Sequence, residues 1–160
     1  MKTTLRRTWA EINLDNLIYN YKTIRAALGE NVKFLGVVKA DAYGHGAVQV
    51  ARVLEEEGAE YLAVSNLDEA RDLRNHGIVL PILLLGYTPT ELTPLLIANR
   101  VTQAVYSEES ARGFSDAAKK CGGTLRVHIK LDTGMSRLGF QCDETHAGAS
   151  VGAVRRVCAL

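Results

Sequence analysis

Short apolar runs alternate with segments of helical periodicity along the whole chain, joined by short connections. This alternation constrains the fold more than any other feature, because strands alternating with helices build parallel βα units rather than hairpins or helical bundles. A first helix is expected over Asp15–Leu28, with Leu17, Ile18, Tyr21, Ile24 and Leu28 on one stripe, Asp15 at the cap and Gly29 at the end. A strand over Lys33–Lys39 follows, then a helix over Gly46–Glu57 with Val48, Ala51, Val53 and Leu54 inward and Gly58 closing it. The unit then recurs. Strands are expected over Tyr61–Val64, Ile82–Leu85, Val101–Tyr106 and Arg126–Leu131. Helices are expected over Leu67–Asn75, Thr90–Ala98, Ser107–Lys120 with Ser107 as cap, and Glu144–Ala159. The fold class is therefore α/β, although periodicity alone does not separate an open doubly wound sheet from a barrel.

At 160 residues the chain is long enough for one ordinary core, and 47% hydrophobic with 23% charged residues is the composition of a soluble globular protein. Nothing reads as a linker, so residues 1–160 are read as one domain. A net charge of +1 gives no reason to expect nucleic acid or an anionic membrane as partner. The basic start, Met1 to Arg7, has no apolar core behind it and does not read as a secretory signal. The longest apolar run, Ile78–Leu85, is too short to span a bilayer. Cys121, Cys142 and Cys158 are odd in number and lack metal-ligand spacing, so free thiols in a reducing cytoplasm are expected, and no metal. The run Glu55-Glu56-Glu57 reads as a solvated helix face.

Two segments carry chemistry. In Val37-Val38-Lys39-Ala40-Asp41-Ala42-Tyr43-Gly44-His45-Gly46 a lysine ends an apolar run that reads as a strand buried on both faces, typical of a parallel sheet. An ammonium there is expensive to keep charged, so Lys39 either snorkels to water or acts as an amine. Gly44 and Gly46 allow a turn and close approach to a ligand, and His45 between them is either a locally bonded turn residue or a base. The second segment is Lys130-Leu131-Asp132-Thr133-Gly134-Met135-Ser136-Arg137-Leu138-Gly139. Strand alternation puts His128, Lys130 and Asp132 on one face and Val127, Ile129 and Leu131 on the helix-covered face. In a βα barrel functional groups sit at the carboxyl ends of strands. Strands one and five of eight face each other across the mouth, so a flat ligand between them would touch both segments.

These two segments, in this order, resemble alanine racemases, a family of pyridoxal-phosphate enzymes. The likeness extends over Thr8-Trp9-Ala10-Glu11-Ile12, Leu62-Ala63-Val64, Leu67-Asp68-Glu69-Ala70 and Pro81-Ile82-Leu83-Leu84-Leu85-Gly86. It implies the N-terminal part, about five βα units, of a TIM-type (β/α)8 barrel that binds pyridoxal 5'-phosphate. It implies interconversion of L-alanine and D-alanine, the D-alanine serving the bacterial cell wall. Lys39 would carry the cofactor as a Schiff base and take the D-alanine proton; Tyr43 would bond the phosphate. Arg137 would donate to the cofactor's phenolic oxygen and orient the substrate carboxylate. Lys130 beside Arg137 would place like charges together in a partly buried site. The matching lysine is carbamylated in several family members, which would turn Lys130 into an anion; Asp132 is the alternative source of that negative charge.

The resemblance also implies a homodimer whose partner subunit supplies a catalytic tyrosine from its C-terminal region, and none of the six tyrosines here matches that motif. An eight-stranded barrel needs about 250 residues, and the family adds a β-rich domain. The chain is therefore expected to be a truncated N-terminal piece with little racemase activity alone. Other readings stand beside this one. Serine-racemising relatives share both motifs. Barrel-fold amino-acid decarboxylases use a strand-one lysine with the same cofactor but typically lack the Tyr-Gly-His-Gly continuation. A non-catalytic fragment with open sheet edges, prone to self-association, is the third.

Overall fold

The structure, a computed structural model, describes residues 8–160; the basic segment Met1–Arg7 lies outside the described residues. Helix α1 (Leu14–Ala26) opens on Asn13, whose side chain accepts from Asn16 N at 3.0 Å. Asp15, expected as the cap, sits instead in the first turn, where its carboxylate faces the positive end of the helix dipole. The chain continues through β1 (Leu35–Val37), a single turn α2 (Lys39–Gly44), α3 (Ala47–Glu56), β2 (Tyr61–Val64), α4 (Leu67–Asn75) and β3 (Ile82–Leu84). A 3-10 turn over Thr90–Leu92 leads into α5 (Thr93–Ala98), so the expected Thr90–Ala98 helix is divided. Pro94 at the start of α5 explains the division, since its missing N–H is tolerated only in a first turn. Then come β4 (Val101–Val105), α6 (Glu108–Lys120) capped by Ser107, β5 (Val127–Ile129), β6 (Leu131–Asp132), β7 (Phe140–Gln141) and α7 (Ala147–Val157).

Strands β1 to β5 form one parallel sheet in the order β1-β2-β3-β4-β5. A doubly wound sheet reverses its strand order and carries helices on both faces. Here the order never reverses, and side chains of the helices join one face only. Leu62, Val64, Ile82, Leu84, Val101 and Val105 pack with Tyr21, Leu54, Leu73, Leu96, Phe114 and Val157 in a single core. The opposite face carries a small cluster of Ala63, Leu83 and Ala104, flanked by Tyr61 and Leu85. This is the wall of a (β/α)8 barrel with five of its strands in place.

Gly36 shows how tightly the helix-covered face is packed. A Cβ there would lie 2.5 Å from Leu54 Cδ1 and 3.4 Å from Leu62 Cδ2, so the two leucines fill the space that a larger residue would need. The other face of β1 is open: Leu35 is 37% exposed and Val37 49% exposed. The strand is thus not buried on both faces as its apolar run suggests, because β1 is an edge strand and only one of its faces meets helices. On the same open face Tyr61 Oη lies 2.8 Å from Thr102 Oγ1, and the rings of Tyr61 and His128 approach to 5.8 Å.

Charged groups tie the outer layer together. Glu60 accepts from Phe34 N at 2.6 Å and pairs with Arg25 of α1 at 3.2 Å. Glu108 binds Arg156 of α7 at 2.8 Å and Arg112 at 2.6 Å, and these guanidinium hydrogen bonds hold its carboxyl down at about 2. The three cysteines are free and exposed. Among the described residues no helix is long and apolar enough to cross a membrane.

Candidate active site

Strand β1 ends two residues before Lys39, not at it. Val38 is buried, Lys39 is half-buried, and the next four residues turn left-handed. Ala40, Asp41, Ala42 and Tyr43 have φ between 50° and 53° and ψ between 40° and 48°. None is glycine, and each left-handed L-residue costs roughly 1–2 kcal/mol, so the turn persists only where its surroundings hold it. Inside the segment Ala42 N donates to Val38 O (3.0 Å), His45 N to Ala42 O (3.2 Å) and Gly46 N to Asp41 O (3.1 Å). Asp41 Oδ1 accepts from Ala47 N at 2.7 Å, which ties the exit of the turn to the start of α3. His45 Nδ1 lies 2.9 Å from Ala42 O, so His45 is a locally bonded turn residue.

The entrance of the turn is held from outside. Glu69, in the first turn of α4, accepts from Ala40 N at 2.8 Å through Oε1, and from Ser65 N (2.8 Å) and Ser65 Oγ (2.9 Å) through Oε2. Its own N–H donates to Asn66 Oδ1 at 3.0 Å, the cap of α4. Burial pushes the Glu69 carboxyl up, but the Ser65, Ala40 and Asn66 hydrogen bonds outweigh it and the group sits below the usual carboxylate value. The carboxylate therefore stays ionised and links the carboxyl ends of β1 and β2. The left-handed turn also folds Tyr43 back toward Lys39, whose Nζ stands 6.0 Å from the ring centroid, within cation–π range. The Tyr43 ring is 71% exposed.

The second motif follows β5. Lys130 N donates to Val105 O at 2.8 Å, and Ala104 registers with His128, which places His128 on the helix-free face as expected. Strands β6 and β7 pair in parallel and enclose the loop 133–139. Asp132 Oδ1 accepts from Ser136 N (2.9 Å) and Gly134 N (3.0 Å). These bonds hold its carboxyl below the ordinary range, with smaller help from Met135 N–H and the Lys130 charge. Gly139 has φ 143°, and a Cβ there would lie 2.5 Å from Asp132 N, so only glycine closes this loop without displacing it. Arg137 is exposed; its Nη2 donates to Met135 Sδ at 3.2 Å, and among the described residues no carboxylate pairs with it. It lines a cleft of about 610 Å³ together with Tyr106, Ser136, Phe140, Ser150 and Arg156.

Lys39 and Tyr43 therefore lie together beyond β1, whereas Arg137, Asp132 and Lys130 lie beyond β5, at the opposite edge of the open sheet. The Arg137 cleft is not lined by Lys39 or Tyr43. Two contributors escaped the sequence reading. Glu69 is one; Asn66-Leu67-Asp68-Glu69 has capping-box spacing, which points to a helix start but not to a carboxylate reaching another strand. Tyr106 is the other, at the end of β4, where burial and then the nearby Tyr87 push its hydroxyl up. Its position next to a strand end was its only signal.

The family model for the alanine racemase N-terminal domain matches residues 12–156. The chain is 52% identical over 136 residues to alanine racemase 1 of Clostridium acetobutylicum, covering 85% of this chain and 35% of that protein. It is 45% identical over 160 residues to an alanine racemase of Clostridium perfringens, of which it covers 40%. The solved structure of an alanine racemase from Clostridium difficile 630 superposes with a TM-score of 0.89 at 48% identity, over 99% of this chain and 40% of that one. The chain thus spans about two fifths of the length of these relatives or a little less.

Proposed function

Since the chain belongs to the alanine racemase N-terminal domain family, we propose that it supplies the lysine side of a site that interconverts L-alanine and D-alanine with pyridoxal 5'-phosphate. The observation that carries this reading is a half-buried amine, Lys39, fixed beyond the carboxyl end of β1 by a left-handed turn that sets Tyr43 beside it. The residues suit the group: a primary amine for its aldehyde, an exposed tyrosine for its phosphate, and a guanidinium without a carboxylate partner among the described residues for its phenolic oxygen. When bound, the cofactor delocalises the charge left at a substrate α-carbon.

The chain's own residues do the rest. Lys39 anchors the cofactor and, once released, takes the α-proton of D-alanine on one face. Tyr43 donates to the phosphate. Arg137 offers a planar, permanently charged fork to the phenolic oxygen and the substrate carboxylate. On the family resemblance we assign the anion beside Arg137 to a carbamate on Lys130; Asp132, which lines the same cleft and takes the Ser136 and Gly134 N–H groups on Oδ1 alone, is the alternative. The opposite proton comes, in this reading, from a tyrosine of a partner subunit in a cytoplasmic homodimer, since none of the six tyrosines here fits that role.

Borohydride reduction in the presence of pyridoxal phosphate, followed by peptide mapping, is expected to place the pyridoxyl group on Lys39. Label concentrated on Lys33 or Lys130 would overturn the assignment. In the longer racemase, Arg137→Ala is expected to remove about 1.5–3 kcal/mol of interaction with the cofactor and substrate, seen as a fall in kcat/KM for alanine. The apo protein's unfolding midpoint should stay in place, because among the described residues Arg137 has no ion pair to lose. An equal loss of apo stability would make Arg137 a structural residue.

A further inference from the structure

We propose that Glu69 is a positioning residue for Lys39, holding the entrance of the left-handed turn so that the amine stays beyond β1; this rests on Lys39 being the cofactor anchor. Lys39 is one peptide link from Ala40, and Ala40 N donates to Glu69 Oε1 at 2.8 Å. Any relaxation of the turn at Ala40 therefore rotates the Lys39 backbone and swings its side chain.

The brace has a specific design. Among the described residues Glu69 is the only side chain from outside residues 38–47 that hydrogen-bonds to the turn. Asp41 secures the exit through Ala47 N; at the Lys39 end the Glu69 carboxylate acts beside the backbone bonds from Ala42 N to Val38 O and from Val38 N to Ala63 O. The other Glu69 oxygen is occupied by Ser65 N and Oγ, so the carboxylate is fixed to β2 while it holds Ala40. An ionised carboxylate accepts on both oxygens, which an amide does not. Glutamine at this position accepts from the backbone N–H of Ala40 or of Ser65, with its amide nitrogen turned toward the other. The lowered Glu69 carboxyl agrees with an anion that several N–H groups share.

The test compares the unsubstituted protein with Glu69→Ala, Glu69→Gln and Asn66→Ala. The first readout is hydrogen exchange at the Ala40 amide. The second is the share of borohydride-fixed pyridoxyl label on Lys39 relative to the exposed Lys22, Lys119 and Lys120. Glu69→Ala is expected to deprotect Ala40 and to lower the Lys39 share about tenfold, the effect of losing one charge-assisted hydrogen bond at a positioned group. Glu69→Gln should fall between, and it carries the exchange readout if the alanine variant does not fold. Asn66→Ala removes the cap of α4 and should lower the unfolding midpoint while leaving the Lys39 share unchanged.

Unchanged Ala40 exchange and an unchanged Lys39 share in Glu69→Ala would overturn the inference. So would an Asn66→Ala variant that loses Lys39 selectivity as much as Glu69→Ala, since that would reduce the effect to a loosened helix. Label away from Lys39 in the unsubstituted protein would instead defeat the proposed function, and Ala40 exchange would still decide whether Glu69 braces the turn.

Discussion

In the longer racemase of which the proposed function makes this chain a part, Lys39→Ala is expected to eliminate racemisation of alanine while leaving the fold intact. The substitution removes both the anchor for the cofactor and the base on one face of the substrate. General acid–base catalysis alone contributes roughly a hundredfold to ten-thousandfold, and losing the covalent anchor adds to it. Lys39 is half-buried, and its side chain packs near Tyr43 without an ion pair among the described residues. A change of this kind away from the core shifts stability by about 0.5 kcal/mol or less. A chiral assay on that longer protein, with urea unfolding beside it, separates the two effects. Lys39→Arg should be equally inactive, since it keeps the charge but not a primary amine. Residual racemisation within tenfold of the unsubstituted protein would refute the role of Lys39.

The largest stability effect is expected at Leu62→Ala. Leu62 is fully buried in β2 and, with Leu54, fills the hollow above Gly36. Truncation leaves a cavity that a glycine backbone below it does not refill, and leucine-to-alanine changes in such sites cost about 2–5 kcal/mol. Val37→Ala, on the open face of the neighbouring strand, should cost under about 1 kcal/mol, because Val37 is 49% exposed and little apolar area is lost. The ratio of the two losses, measured by chemical denaturation, tests whether the helix-covered face carries the core. Comparable losses would mean that the open face is covered in solution.

Much of this architecture is written in residue periodicity. The α4 boundaries, Leu67 and Asn75, and the β2 boundaries, Tyr61 and Val64, match the expected ones because Asn66, Gly77 and the apolar run punctuate them sharply. The family motifs marked Lys39, Tyr43 and Arg137 as candidates, and the fold places them beyond β1 and β5. What periodicity missed has local causes. Ala40, Asp41, Ala42 and Tyr43 carry no signal for a left-handed turn, since alanine and tyrosine avoid that region unless tertiary contacts impose it. The pairing of β6 with β7 depends on two residues in each strand, too short for any alternation to show. The last helix starts at Ala147 rather than Glu144 because Asp143 draws the backbone N–H groups of Thr145 and His146 into a turn first.

The unbroken strand order has a consequence for how such a protein can be recombined. Within the five-stranded sheet the three inner strands are bonded to the strands before and after them and the two edge strands to one neighbour, so every seam joins neighbours in the chain. Exchanging one inner βα unit with a relative disturbs two seams and leaves the others as they were. The seam between the first two units is the exception. There Glu69 reaches from the start of α4 to Ala40, and Val38 N reaches Ala63 O at 2.9 Å. A crossover in the loop between α3 and β2 would give Lys39 and its brace different parents. Chimaeras joined after α4 inherit both together, which makes that point the safer place to splice.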